Sequence, residues 1–150
     1  MLDCYIRQCE SMDMAGKPQF NLERFFQALG DKTRLRLLNL MEDREICVCY
    51  FVEILDQPQP KISRHLAYLR NACMVAARRD GKWMHYRIAM PPHEGAAQVL
   101  RQVLQSLQEE KPMQADRNRL NKACCTPEKF VSLQRAPQPA PVVQSASDLR

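Results

Sequence analysis

Seven cysteines stand in a chain of 150 residues, unevenly spaced. Cys47 and Cys49 form a Cys-x-Cys pair, Cys124 and Cys125 are adjacent, Cys4 and Cys9 are more loosely paired, and Cys73 stands alone. Deprotonated thiols are soft ligands and select soft ions. An odd number cannot pair completely as disulfides, and Met1 to Glu10 lacks the apolar core of a secretory signal. We therefore expect a cytoplasmic protein whose clustered thiols bind metals or sense redox state. The second chemistry-bearing set is basic. Residues 59–90 hold 7 basic and 1 acidic side chains, a net charge of +6, against +5 for the whole chain. Residues 1–58 carry −3, residues 91–110 carry −2 and residues 111–150 carry +4. Such localisation predicts one anionic contact rather than a uniform nucleic-acid coat.

The elements that must position these residues follow from pattern. Asn21 is an N-cap, and Leu22, Phe25, Phe26 and Leu29 follow at the spacing of one helical face. Asp31 caps a second helix with Leu35, Leu37, Leu38 and Met41 inward. Glu42 to Glu45 reads as a polar connection, and a third helix runs from about Cys47 to Leu55. The Gln57-Pro58-Gln59-Pro60 turn precedes a fourth helix, Gln59 to Asn71. A hairpin turns at Asp80-Gly81. A last amphipathic helix carries Ala96, Val99, Leu100, Val103, Leu104 and Leu107. Residues 1–19 read as an arm, residues 20–108 as one domain and residues 109–150 as a flexible tail with five prolines after residue 110. No run approaches the length of a transmembrane helix, and no partner membrane is expected.

Two helices, a tight turn, a helix and a hairpin form the layout of a winged helix-turn-helix, a mainly α fold with a β-hairpin. In that layout the fourth helix here enters a DNA major groove. Gln59, Lys61, Ser63, Arg64 and His65 lie near its start and Arg70 near its end. Arg78, Arg79 and Lys82 flank the hairpin tip, where a wing touches the DNA backbone. His85 is also read as facing DNA. Within a regular helix, residues i and i+2 point about 200° apart. Two sulfurs on one ion must lie within roughly 4 Å of each other. An ion held by Cys47 and Cys49 is thus expected to unwind or shift the start of the third helix, which supports the fourth.

Several stretches carry a resemblance. Phe26 to Met41 (FQALGDKTRLRLLNLM) is similar to the first two helices of the ArsR/SmtB family of metal-responsive repressors. Glu45-Ile-Cys-Val-Cys49 resembles the thiolate motif of its arsenic and cadmium sensors. Pro60 to Arg70 (PKISRHLAYLR) resembles its recognition helix, and Arg78 to Arg87 (RRDGKWMHYR) its wing. Three positions depart from the family: Lys32 replaces a frequent Pro, Pro58 a Ser cap, and Cys73 a Gly after the recognition helix. A non-Gly residue at that last position is strained if φ is positive. Cys73 itself is read as a buried thiol.

The resemblance implies a repressor that leaves operator DNA when thiolates take up trivalent arsenic or antimony, methylated arsenic included. The family's third local Cys is Val52 here, so Cys124 and Cys125 are the expected additional donors to Cys47 and Cys49. An alternative is a cadmium or lead sensor that adds Cys4 and Cys9. From another class, a soft-metal carrier accounts for the thiols but leaves the basic segment unexplained. The absence of a Gly-rich phosphate loop argues against an enzyme. The resemblance also implies a homodimer, expected across Leu22, Phe25, Phe26, Val99, Leu100, Val103, Leu104 and Leu107, because the last helix's stripe is too apolar to leave in water.

Overall fold

The computed structural model describes residues 5–6 and 20–142. Cys4, Cys9 and most of the expected arm lie outside the described residues. The elements are β1 (Tyr5–Ile6), α1 (Leu22–Leu29), α2 (Lys32–Met41), β2 (Arg44–Cys47), α3 (Val48–Leu55), α4 (Gln59–Asn71), β3 (Val75–Asp80), β4 (Trp83–Ile88), α5 (Glu94–Glu109), α6 (Lys111–Cys125) and β5 (Ala140–Pro141). Two 3-10 turns lie between α6 and β5.

The first two helices start where side-chain oxygens cap them. Asn21 accepts from the Arg24 amide at 2.8 Å and Asp31 from the Arg34 amide at 3.0 Å. Arg34 then closes the α1–α2 joint by donating to the Ala28 and Gln27 carbonyls in the last turn of α1. Between α3 and α4 the chain turns through Asp56 in the left-handed region (φ 51°). Pro60 sits in the first turn of α4, where a missing N–H costs nothing. Leu37, Leu38, Met41, Phe51, Ile62, Leu66 and Leu69 are fully buried and pack α2, α3 and α4 into one core. Each such burial stabilises the fold by about 1.5–3 kcal/mol.

β3 and β4 form the hairpin, with Gly81 at φ 57° in its turn. The antiparallel sheet has the order β1-β3-β4-β2-β5. The expected polar connection at Glu42 to Glu45 is corrected. Arg44–Cys47 is a strand that fills the free edge of β4, pairing Ile46 with Tyr86 and Cys47 with His85. Helix α3 therefore begins at Val48, and Cys47 is its extended N-cap (φ −67°, ψ 141°).

The expected flexible tail is corrected for residues 111–142. Helix α6 buries Met113, Leu120 and Ala123, and with them the carboxylate of Asp116. Arg36 grips Asp116 with two hydrogen bonds, at 2.6 and 2.8 Å. Asn39 donates to the Met113 carbonyl at 3.0 Å, and Arg117 donates to Asn39 and to the Gln108 carbonyl. These polar bonds give no hydrophobic period, so they leave little trace in the sequence. Beyond α6, Leu133 is buried, Ser132 donates to Glu53 of α3, and β5 pairs with β2 through Glu45 and Ala140.

Candidate functional site

The start of α4 projects Gln59, Lys61 and Arg64 to solvent, while Ile62, Leu66 and Leu69 anchor the opposite face. Arg79 and Lys82 are exposed at the hairpin tip, Lys82 resting 4.9 Å from the Trp83 ring centre. The helix N-terminus adds its own partial positive charge beside Lys61. Lys61, Arg64, Arg79 and Lys82 are thus exposed basic side chains, with Gln59 exposed beside Lys61. Ser63 is half-buried between them.

Four other expected DNA-facing residues are placed differently. Arg78 donates to Glu45 at 2.9 and 2.5 Å, so it ties the hairpin to β2. Arg70 is half-buried at the far end of α4, within electrostatic reach of the Tyr86 hydroxyl. His65 is half-buried, 3.7 Å from Asp31, and burial keeps it below the usual imidazole range. His85 is only 4% exposed, held in the sheet beside Arg78, Glu45 and Asp80. Burial, then Arg78, lowers its pKa. Alternation alone points it outward, but β2 pairs beside β4 and sets Cys47 opposite it in the sheet.

The thiols gather on the other side of α3. Cys47 is fully buried and Cys49 half-buried. The two thiols lie within electrostatic reach of each other, so that charge on one opposes charge on the other. The expectation that an intact helix separates them is corrected. Cys47 stands outside the helix as its N-cap with an extended backbone, so the i, i+2 separation of two helical residues does not apply to the pair. Burial pushes the Cys47 thiol up to about 11, because a charged sulfur there loses its hydration.

Cys124 and Cys125 end α6. Adjacent helical residues point about 100° apart, so the two do not face one way. Cys124 is half-buried against the core, and Cys125 is exposed. The Tyr50 hydroxyl lies within electrostatic reach of Cys124, Cys47 and Cys49 together. Burial also raises the Cys124 pKa, with Arg44 opposing the rise. Among the described residues, no group of three His, Cys, Asp or Glu side chains is already placed to hold an ion. The structure thus sets Cys47 and Cys49 within electrostatic reach of each other, and Tyr50 within reach of both and of Cys124.

Tyr50 was not singled out by the sequence. It is fully buried, and its hydroxyl has no hydrogen-bond partner among the described residues. Its signal is a polar-tipped ring directly after Cys49 in a mostly apolar helix. Cys73 has φ 64°, the left-handed backbone at which a Gly is usual. It is disulfide-bonded, which corrects its reading as a free buried thiol.

The expected dimer residues divide. Phe25, Leu100 and Leu107 are buried in their own chain, so they support the surface from beneath. Leu22 and Phe26 are 47% and 50% exposed. Val99, Val103 and Leu104 are half-buried, the first two lining a groove with Leu29 and Leu35. No helix among the described residues is long and apolar enough to cross a membrane.

Residues 31–76, from the cap of α2 to the start of β3, match the model of the bacterial regulatory protein arsR family. The chain is 48% identical over 71 residues to the arsenical resistance operon repressor of Escherichia coli, covering 47% of this chain and 59% of that one. It is 40% identical over 85 residues to the arsenic resistance transcriptional regulator ArsR1 of Pseudomonas putida, covering 56% and 66%. It is 47% identical over 64 residues to the uncharacterized HTH-type transcriptional regulator MJ1325 of Methanocaldococcus jannaschii, covering 42% and 72%. The chain thus spans about 59% of the length of the Escherichia coli repressor. The named relatives are transcriptional regulators and not enzymes. With two helices, a turn, a fourth helix and a hairpin wing in family order, the chain belongs to the arsR family of winged helix-turn-helix regulators.

Proposed function

We propose that this protein is a homodimeric operator-binding repressor that releases double-stranded DNA when Cys47, Cys49 and Cys124 take up trivalent arsenic or antimony. The observation that carries this reading is the position of the thiol pair. Cys47 ends β2, which pairs with β4 of the wing, and caps α3, which leads through Asp56 into α4. The pair therefore sits at the joint that holds both DNA-facing elements. Lys61, Arg64, Arg79 and Lys82 supply the phosphate and base contacts.

The donor set fits a trivalent metalloid. When bound, such a centre supplies three covalent bonds to sulfur. For arsenous acid, three S–H and three As–OH bonds are replaced by three As–S bonds and three waters. Protons and charge balance, and nothing charged enters the core. A divalent cation held by three or four thiolates leaves a net negative charge there, which Cys47's burial disfavours. The Cys47–Cys49 pair alone suits methylated arsenic, which takes two sulfurs. Cys125, exposed, is dropped from the ligand set. Cys124 closes the site by moving toward the pair, and α6 draws on the β2–α3 joint. A coupling of about 1–3 kcal/mol, a 5–150-fold change in DNA affinity, is ordinary for linked sites.

A second copy of the chain covers Leu22, Phe26 and the α1–α5 groove in this reading, and presents a second α4 to a palindromic operator. Phe26→Asp then yields monomers in sedimentation. The main test is a gel shift with and without arsenite. Release in the wild type and retention in a Cys47→Ser, Cys49→Ser variant support the proposal. Release unchanged by those substitutions contradicts it.

A further inference from the structure

Tyr50 is the one large buried residue of α3 whose polar atom the fold leaves unused. The residue is fully buried, and its hydroxyl meets no hydrogen-bond partner among the described residues. A buried donor without an acceptor is destabilising, because it has given up water for nothing. Phe51 follows directly in the same helix and is also fully buried, so an aromatic ring without a hydroxyl is well accommodated in this core. Three thiols lie within electrostatic reach of the hydroxyl. Cys47 belongs to the same buried cluster, Cys49 and Cys124 pack against it, and all three act electrostatically on the Tyr50 oxygen, Cys124 most strongly. A thiol is itself a donor and a weak acceptor, whereas a sulfur bound to a metalloid has lost its proton and can only accept.

We propose that the Tyr50 hydroxyl is a positioning residue of the inducer site, donating a hydrogen bond to the Cys124 sulfur once that sulfur joins Cys47 and Cys49. This rests on the thiol-site reading above. The orphaned donor makes the unloaded arrangement less favourable than the loaded one. Closing the site satisfies the hydroxyl and holds the ligand that arrives on α6. Tyr50 keeps its proton throughout and forms no bond to the inducer. It thereby favours inducers that need the third sulfur over those content with the Cys47–Cys49 pair.

The experiment is a double-mutant cycle on the full chain. Arsenite affinity is read from sulfur-to-arsenic charge-transfer absorbance for the wild type, Tyr50→Phe, Cys124→Ser and the double variant. Thermal unfolding of the unloaded proteins is read alongside. Tyr50→Phe is expected to weaken arsenite binding by about two- to ten-fold, the scale of one neutral hydrogen bond. It is expected to leave unloaded stability unchanged or raised, and to have no effect on affinity in the Cys124→Ser background. Equal affinity in Tyr50→Phe, or the same loss in both backgrounds, overturns the proposal. Arsenite binding that survives Cys47→Ser with Cys49→Ser overturns the thiol-site reading, and the proposal with it.

Discussion

Helices α4 and α6 both carry a proline in the first turn, run for 13 and 15 residues, and are rich in Lys and Arg. Helix α4 buries only apolar side chains and turns Lys61 and Arg64 to solvent. Helix α6 buries Asp116 against Arg36 and spends Arg117 on Asn39 and the Gln108 carbonyl. The same residue types thus face solvent in one helix and join an internal lattice in the other. What separates them is the partner on the neighbouring element. No acid of α3 or the hairpin is paired with Lys61 or Arg64 among the described hydrogen bonds and ion pairs, whereas α2 offers α6 both a guanidinium and an amide. Net charge by segment finds both helices and cannot tell them apart.

The contrast is broken most easily at DNA. Lys61→Ala with Arg64→Ala is expected to weaken operator binding about 100-fold or more and to flatten its salt dependence, since each base or phosphate contact contributes about 1–3 kcal/mol. Their unfolding temperature should stay near that of the wild type. Equal DNA loss from Arg117→Ala, measured by fluorescence anisotropy, would erase the distinction.

Asp116→Ala should do the reverse. It leaves Arg36 half-buried without its carboxylate, at a cost of about 3 kcal/mol in denaturant unfolding. DNA affinity of the folded fraction should change little. A variant as stable as the wild type would mean that α6 is not fastened by this pair.

Much of the α4 half of this contrast was legible in the sequence. Asn21 and Asp31 announce their caps, Asp80-Gly81 its turn, and the apolar positions of α4 their face. The α6 half was not. Its fastening depends on Arg36 meeting Asp116 across 80 residues of chain, and neither residue type is a core signal. Strand β2 was missed for a related reason. Arg44 and Glu45 look like a loop until β4 supplies a partner and Arg78 neutralises Glu45. That strand changes the thiol chemistry, because it makes Cys47 an extended cap instead of a helical residue. The thiol pair was legible as a pair, but its closeness was not.

A smaller effect sharpens the thiol end of the comparison through pH. Burial raises the Cys47 thiol from its ordinary value near 9 to about 11. The folded state therefore holds this proton more tightly than the unfolded chain. Its contribution is complete below pH 9 and is lost as pH rises through 11, by about 1.4 kcal/mol for each unit of difference. Cys47→Ala should flatten the alkaline limb of a stability–pH curve over that window. A Cys125→Ala variant, altering an exposed side chain, should leave the limb unchanged.

Smallest of all should be the effect of Cys125→Ser on inducer response, under two-fold in arsenite-driven DNA release. Cys124→Ser should shift that release strongly. The two residues are neighbours in sequence and differ only in the face of α6 they occupy.

Arsenic-edge X-ray absorption on the arsenite-loaded protein tests the account most directly, because it counts sulfur ligands. Three arsenic–sulfur bonds are expected in the wild type and in Cys125→Ser, falling to two with one oxygen in Cys124→Ser. Three bonds retained in Cys124→Ser, or an arsenic with only oxygen neighbours in the wild type, would contradict the site built from Cys47, Cys49 and Cys124.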